Sequence, residues 1–125
     1  MAEDKLMFNW AICELSAYRK GYIMVKLNFK TNVLSWKDSN RWFNNFVRGL
    51  PKNQMQPLYD VLSRFITENR NKEDKTTDTP QHYVWNVQAG NDNNTIEISG
   101  YDTDTEIWQD LVKAIEKAGN RDFTL

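Results

Sequence analysis

The sequence predicts an α+β fold in which an antiparallel sheet of about five strands packs against two main helices. Apolar residues alternate over residues 8–36 and again over residues 83–98, which is the period of half-buried strands. Residues 53–69 and 103–119 instead combine helix-capping residues with apolar residues at helical spacing. Because short turns join the strands, neighbouring strands pair antiparallel and the helices pack on one face. The result is a two-layer sandwich in the order β-β-β-(α)-α-β-β-α.

A strand meander occupies the first part of the chain. An alternating run over residues 8–13 begins it, and Gly21 supplies a turn residue that can adopt positive φ. Residues 22–29 form the clearest half-buried strand, and Asn32 then occupies a turn position before a return strand over 33–36. The odd-numbered side chains of the strand 22–29 are apolar, and its other face carries Tyr22, Met24, Lys26 and Asn28.

Residues 39–49 fit two descriptions. Apolar side chains fall at helical spacing, with Ser39 as a good N-cap and Gly49 as a good stop. However, Asn44 and Asn45 are poor helix formers, and the aromatic residues also suit a strand. We predict a short helix here, with a strand as the alternative.

The next helix is more clearly marked. Asn53 begins a capping box, and Pro57 is expected in the first turn, where its missing N–H is not needed. One apolar stripe follows, formed by Met55, Leu58, Leu62, Phe65 and Ile66. Residues 72–81 contain no aliphatic side chain and are predicted to form a flexible loop. Each side of this loop is too short to fold alone, so residues 1–125 are expected to form one domain.

A second hairpin and a last helix complete the prediction. Alternating runs over residues 83–89 and 96–98 flank a turn rich in glycine and asparagine. Thr103 and Glu106 have the spacing of a second capping box, and Gly119 is placed to end the helix that follows.

The residue inventory predicts no catalytic residue, no metal site and no cofactor. Cys13 and His82 are the only residues of their types, so cysteine or histidine ligand sets lack members, and Cys13 is expected to be a small buried side chain. The carboxylates between Asp102 and Asp110 suit a strand end and a helix start, and the isolated glycines form no phosphate-binding loop. An enzyme that uses those carboxylates is the weakest alternative.

The net charge of −1 conceals a division along the chain. Residues 17–52 contain eight basic residues and one acidic residue, a charge of +7. Residues 73–125 contain four basic and eleven acidic residues, a charge of −7. These segments either neutralise each other across the fold or form separate patches.

Basic and aromatic residues are interleaved in the segment 17–52, which suggests a binding surface. If Tyr22, Lys26 and Lys37 share a solvent face, the composition suits a nucleic-acid backbone with stacked bases, and it equally suits a protein partner. We predict a small non-enzymatic binding or regulatory protein that acts by protein–protein contact, and binding of single-stranded nucleic acid is the alternative. The predicted binding residues are Arg19, Lys20, Tyr22, Lys26, Lys37, Arg41 and Trp42.

Two parts of the chain resemble a known group of proteins. They are Tyr22-Ile-Met-Val-Lys-Leu-Asn-Phe29 and the later set Trp85-Asn-Val87, Gly100 and Trp108-Gln-Asp-Leu-Val112. The spacing of core residues in these parts resembles that of small bacterial and phage α+β proteins, among which the emfourin-type protease inhibitors are the nearest named group. The resemblance implies the fold and a bacterial or phage type of protein, but it assigns no functional residue.

The sequence also predicts a cytoplasmic location. The first residues lack the basic-then-apolar build of a signal peptide, and no apolar run approaches the ~18 residues of a membrane span. We therefore expect no membrane partner.

Overall fold

The structure is a computed structural model and describes residues 8–41, 45–70, 83–101 and 103–124. The loop predicted over 72–81 lies outside the described residues. The elements in chain order are β1 (Trp10–Ala17), β2 (Gly21–Asn28), β3 (Val33–Asp38), β4 (Phe46–Gly49), α1 (Lys52–Arg70), β5 (Val84–Gly90), β6 (Thr95–Gly100) and α2 (Glu106–Gly119). Neither α1 nor α2 is long and apolar enough to cross a membrane.

All the described strands lie in one antiparallel sheet, which has the order β4-β3-β2-β1-β5-β6. With α1 and α2 the sheet forms the predicted two-layer α+β arrangement. The expected turn residues adopt the expected conformations, because Gly21 has φ 93° and Asn32 has φ 58°. The sheet has six strands rather than about five, and β4 is the additional strand.

The prediction of a short helix over 39–49 is wrong at its C-terminal end, where β4 forms. The hydroxyl of Ser39, the predicted N-cap, instead accepts a hydrogen bond from the backbone N–H of Tyr22 at 2.8 Å. Phe46 stacks on Trp36 with ring centroids 5.8 Å apart, while Val47 is 72% exposed on the other side of the strand. Pairing with β3 therefore makes residues 46–49 a strand. A strand sends Phe46 to the core side of the sheet and Val47 to the solvent side.

The central strand β1 buries its small side chains. Ala11 and Cys13 are fully buried, whereas Trp10 and Ile12 are half-buried on the opposite face of the sheet. Small residues beneath the helices allow the two layers to approach closely, and Leu15 adds a larger side chain at the end of the same row. Trp10, the largest residue of β1, and Ile12 thus point away from the core.

Helix α1 begins earlier than the capping box predicts. The carbonyl of Pro51 accepts the N–H groups of Gln54 at 2.9 Å and Met55 at 3.2 Å, so the helix begins at Lys52. Pro57 consequently lies in the second turn rather than the first. The predicted stripe is confirmed, because its five members, Met55, Leu58, Leu62, Phe65 and Ile66, are all buried.

Helix α2 is capped by a different threonine from the one predicted. Thr105 has an extended backbone, and its hydroxyl accepts the N–H of Trp108 at 3.4 Å, so Thr103 lies before the helix. Gly119 is the last helical residue, and Asn120 follows it with φ 54° in the left-handed conformation that ends many helices.

Aromatic side chains join the two layers. Trp85 of β5 stacks on Trp108 of α2 with centroids 5.5 Å apart and meets Phe65 of α1 at 5.0 Å. Trp36 of β3 meets Phe123, which follows α2, at 6.0 Å. Both helices therefore pack on the same face of the sheet, and no described element covers the other face.

Candidate functional site

The face of the sheet turned away from the helices is the candidate site, and we call it the open face. Strand register defines its members. They are the even-numbered residues of β1, β2 and β5, the odd-numbered residues of β3 and β6, and Val47 of β4. None of these non-glycine side chains is buried, whereas most of the inward-facing side chains are.

Apolar side chains alternate with polar ones across the open face and line two depressions. One shallow depression lies between Met24 and Val47, and a second lies against Ile12 and Val33. The two depressions meet at Lys26, which lines both. Scattered exposed apolar residues are common on proteins, but adjacent ones around a shared depression are typical of contact surfaces.

The charged groups of the open face are arranged by sign. Lys26 and Lys37 lie on the neighbouring strands β2 and β3, and both are exposed. Glu14 lies on β1, and Glu97 lies on β6 at the far edge. Within the described ranges, neither lysine forms an ion pair with a carboxylate. The positive half of the face therefore has hydrogen-bonding capacity that its own neighbours do not use.

The acidic edge, in contrast, is hydrogen-bonded internally. The Oε2 atom of Glu97 accepts from the side-chain amides of Asn86 at 3.1 Å and Gln88 at 3.2 Å. The Gln88 amide also donates to the Asn86 carbonyl oxygen at 3.3 Å. These groups already satisfy one another, so the lysine side of the face has the greater capacity for new contacts.

The strand order separates the two charged segments of the chain. Strands β2, β3 and β4 belong to the +7 segment and lie on one side of β1, while β5 and β6 lie on the other. Several contacts join the halves away from the open face, and two of them involve a basic residue of the +7 segment and a polar group of the other half. Lys30 pairs with Asp92 at 3.6 Å between two exposed turns, and the Arg48 guanidinium donates to the Gly119 carbonyl at 3.0 Å. On the open face, opposite charges therefore lie side by side rather than neutralising each other through the fold.

The structure brings together three of the predicted binding residues, because Tyr22, Lys26 and Lys37 share the open face. Arg19 and Lys20 lie in the turn between β1 and β2. Arg41 is exposed after β3, and Trp42 lies outside the described residues.

The two cations of the β1–β2 turn are engaged by neighbouring aromatic rings. The Arg19 guanidinium lies 5.2 Å from the centroid of Tyr18. The Lys20 ammonium lies 5.3 Å from the ring of Tyr83 and donates to its hydroxyl at 3.4 Å. Arg19 and Lys20 thus place positive charge at the end of the sheet beyond Tyr22, outside the open face itself, and the aromatic rings hold these cations by cation–π contact.

Most described aromatic residues of the basic segment do not face solvent. Trp36 is buried against α2, and Phe46 is half-buried, with the guanidinium groups of Arg48 and Arg121 at 4.8 Å and 5.4 Å from its ring centroid. Tyr18, at 81% exposed, and the half-buried Tyr22 are the aromatic rings most available to a ligand in the described part of that segment.

The groups considered for catalysis have structural surroundings. Burial raises the pKa of the Cys13 thiol from its ordinary 9.0 to about 12, which keeps it protonated and unreactive at neutral pH. Asp110 accepts a hydrogen bond from Arg64 at 2.7 Å and thereby links α2 to α1. The described residues contain no group of three potential metal ligands, and His82 and Asp102 lie outside them.

Sequence reasoning missed several members of the open face. Helical spacing over 39–49 predicts a helix at Val47, which is in a strand. Trp10 and Ile12 alternate with the small residues Ala11 and Cys13, and it is the small residues that are buried. The position of Glu14 between the basic and acidic strands depends on the pairing of β1 with both β2 and β5. The periodicity of β1 could have indicated Trp10, Ile12 and Glu14, but it does not identify which of its two faces points outward.

Fold and site together define a two-layer α+β protein that leaves one face of its antiparallel sheet uncovered by the described residues. No protein-family model matches the chain, and comparison with curated proteins found no match. The resemblance to small bacterial and phage proteins therefore stays a prediction.

Proposed function

We propose that this chain is a non-enzymatic binding protein whose open face contacts a protein partner. One observation carries the proposal: the face combines apolar side chains that line two depressions with two exposed lysines that form no ion pair within the described residues. Protein interfaces characteristically combine an apolar centre with charged groups that set specificity. Met24 and Val47 would form the apolar centre, and Lys26 and Lys37 would meet acidic groups of the partner.

The mixture of charges favours a protein over a polyanion. A nucleic-acid surface needs positive charge along its length, whereas Glu14 lies at the middle of the open face and Glu97 at its edge. Base stacking also needs exposed aromatic rings, whereas Tyr22 and Trp10, the aromatic residues of the open face, are half-buried and Trp36 of the basic segment is buried.

Site-specific photo-crosslinking from the open face tests the proposal. A photoreactive amino acid replaces Met24, and crosslinking is carried out in the native host with nuclease-treated and untreated samples. We expect a discrete protein adduct that survives nuclease treatment. The adduct should disappear when Val47→Asp is added, because a buried charge in the contact is costly.

Gln109, which is exposed on α2, provides the matched control. The same photoreactive residue placed at position 109 should give no such adduct. With the probe at position 24, Gln109→Asp should leave the original adduct unchanged. A protein adduct that forms equally from position 109, or an absence of protein adducts from position 24, contradicts the proposal.

The second candidate is binding of single-stranded nucleic acid, and the shared position of Tyr22, Lys26 and Lys37 favours it. Fluorescence anisotropy with a labelled oligonucleotide at low salt tests this candidate. Counterion release requires the affinity to fall steeply with added salt, and Lys26→Ala should reduce that slope by about one. Absence of binding at low salt would remove nucleic acid from consideration.

A further inference from the structure

We infer that the occupant of the open face is the open face of a second copy of this chain, related by a two-fold axis parallel to the strands. This inference rests on the proposed function and names its partner. The axis passes between β1 and β2, so that β2 of one copy lies over β1 of the other. The two sheets then pack face to face, about 10 Å apart, as in aligned β-sandwiches.

Charge complementarity selects this arrangement. Register pairs Glu14 with Met24 across β1 and β2, so the axis brings Glu14 of the second copy over Met24 of the first. Lys26 is two residues further along β2, about 7 Å away, and Lys37 is opposite Met24 on β3, about 5 Å away. The carboxylate of Glu14 thus enters a position flanked by two lysines that have no ion pair in their own described chain. Symmetry repeats the contact in the reverse direction.

A two-fold axis perpendicular to the strands is disfavoured by the same charges. It would place β2 and β3 of one copy against β2 and β3 of the other. The lysine-bearing strands of the two copies would then lie over each other, and like charges brought together in an interface repel. The parallel axis instead places the lysine-bearing strand β2 of each copy over the glutamate-bearing strand β1 of the other.

The size of the face predicts a dimer of moderate affinity. Its six strands span about 24 Å and their length is about 23 Å, so each copy would bury on the order of 550 Å². The total of about 1,100 Å² lies just below the range of about 1,200–2,000 Å² for stable specific interfaces and within the range of weak, transient ones. We therefore expect dissociation in the micromolar range and a clear dependence on salt.

Sedimentation velocity of the purified full chain provides the test, over concentrations from about 1 µM to about 500 µM. Wild type should change from monomer to dimer over this range, and the dimer should weaken several-fold when salt is raised. The double variant K26E/K37E and the single variant E14K should each raise the dissociation constant at least tenfold. An equimolar mixture of the two variants should restore association, because one chain then carries three glutamates where the other carries three lysines.

Two further variants separate surface chemistry from misfolding. K52E/K113E reverses two exposed charges on the helical layer, gives the same net charge change as K26E/K37E, and should dimerise like wild type. Met24→Asp should be monomeric at every concentration while keeping the wild-type circular dichroism spectrum.

Several results would overturn the inference. Wild type could be monomeric throughout, the charge reversals could act no more strongly than K52E/K113E, or the mixture could fail to associate. If wild type is monomeric while the Met24 probe crosslinks a different protein, the second copy is wrong but the proposed function stands. If that probe crosslinks no protein at all, the proposed function fails as well.

Discussion

Gly100 lies against the ring of Trp85, and its replacement by alanine should destabilise the fold measurably. A Cβ atom at this position would lie 2.4 Å from Cζ2 and 2.8 Å from Cε2 of that ring. The ring cannot retreat freely, because Trp108 is stacked on it and Phe65 meets it edge-on. Overpacking of this kind costs about 1–3 kcal/mol.

Gly49→Ala is the matched control, since a Cβ atom there would meet nothing within 4 Å. Both glycines lie in edge strands, and neither has a positive φ. Each substitution should also stabilise by about 0.4–1 kcal/mol through the reduced entropy of the unfolded chain. Because this contribution is common to both variants, the difference between them isolates the steric effect, expected at about 1–3 kcal/mol.

Urea unfolding followed by circular dichroism measures both free energies of unfolding. The Trp85→Phe background provides a further check, because phenylalanine lacks the ring atoms that Gly100→Ala would meet, so the alanine should cost less there. Equal stabilities of Gly100→Ala and Gly49→Ala would refute the packing of β6 against this ring.

Three other predictions concern the helices and the buried thiol. Thr105→Ala should cost about 0.5–2 kcal/mol of unfolding free energy in urea, whereas Thr103→Ala should cost less, and the reverse order would restore the cap predicted from sequence. Cys13 should make the fold less stable in alkali: below pH 9 the thiol is protonated in both states, and between pH 9.0 and about 12 only the unfolded chain loses the proton. Unfolding free energy should therefore fall by ~1.4 kcal/mol per pH unit relative to Cys13→Ala, and parallel pH profiles of the two proteins would contradict this. Asp110→Asn should change thermal stability by less than about 1 kcal/mol, because its ion pair with Arg64 is solvent-exposed, and a larger loss would indicate a role beyond that pair.

The fold could be predicted from the sequence wherever a local signal and a tertiary requirement agree. Alternation in β2 and the apolar stripe of α1 identified buried faces, because burial on one face produces those periods. The prediction for 39–49 failed where local spacing was compatible with a helix but sheet pairing with β3 was available. The prediction of Thr103 as the N-cap of α2 is wrong for a similar reason, since both threonines can cap and only the path of the chain into α2 selects Thr105.

The candidate site was predictable only in part. Tyr22, Lys26 and Lys37 could be placed on one face because strand period and turn length fix the register of β2 and β3. Glu14 and Val47 could not be added to them. Glu14 can be placed only if β1 is known to lie between β2 and β5, and Val47 only if β4 is known to be a strand. Both are properties of strand order, which depends on long-range pairing.

Strand order also explains how a nearly neutral chain acquires a surface with its positive and negative charges on opposite sides. In the order β4-β3-β2-β1-β5-β6, strands that follow one another in sequence mostly remain neighbours, so the +7 segment stays on one side of β1. A strand order that interleaved the two segments would have mixed basic and acidic residues and left no separation of charge across the face. The observed order instead produces a face whose basic and acidic halves are complementary to each other after rotation by half a turn. Such a face attracts a copy of itself most strongly at low ionic strength, and added salt weakens that attraction by screening the charges.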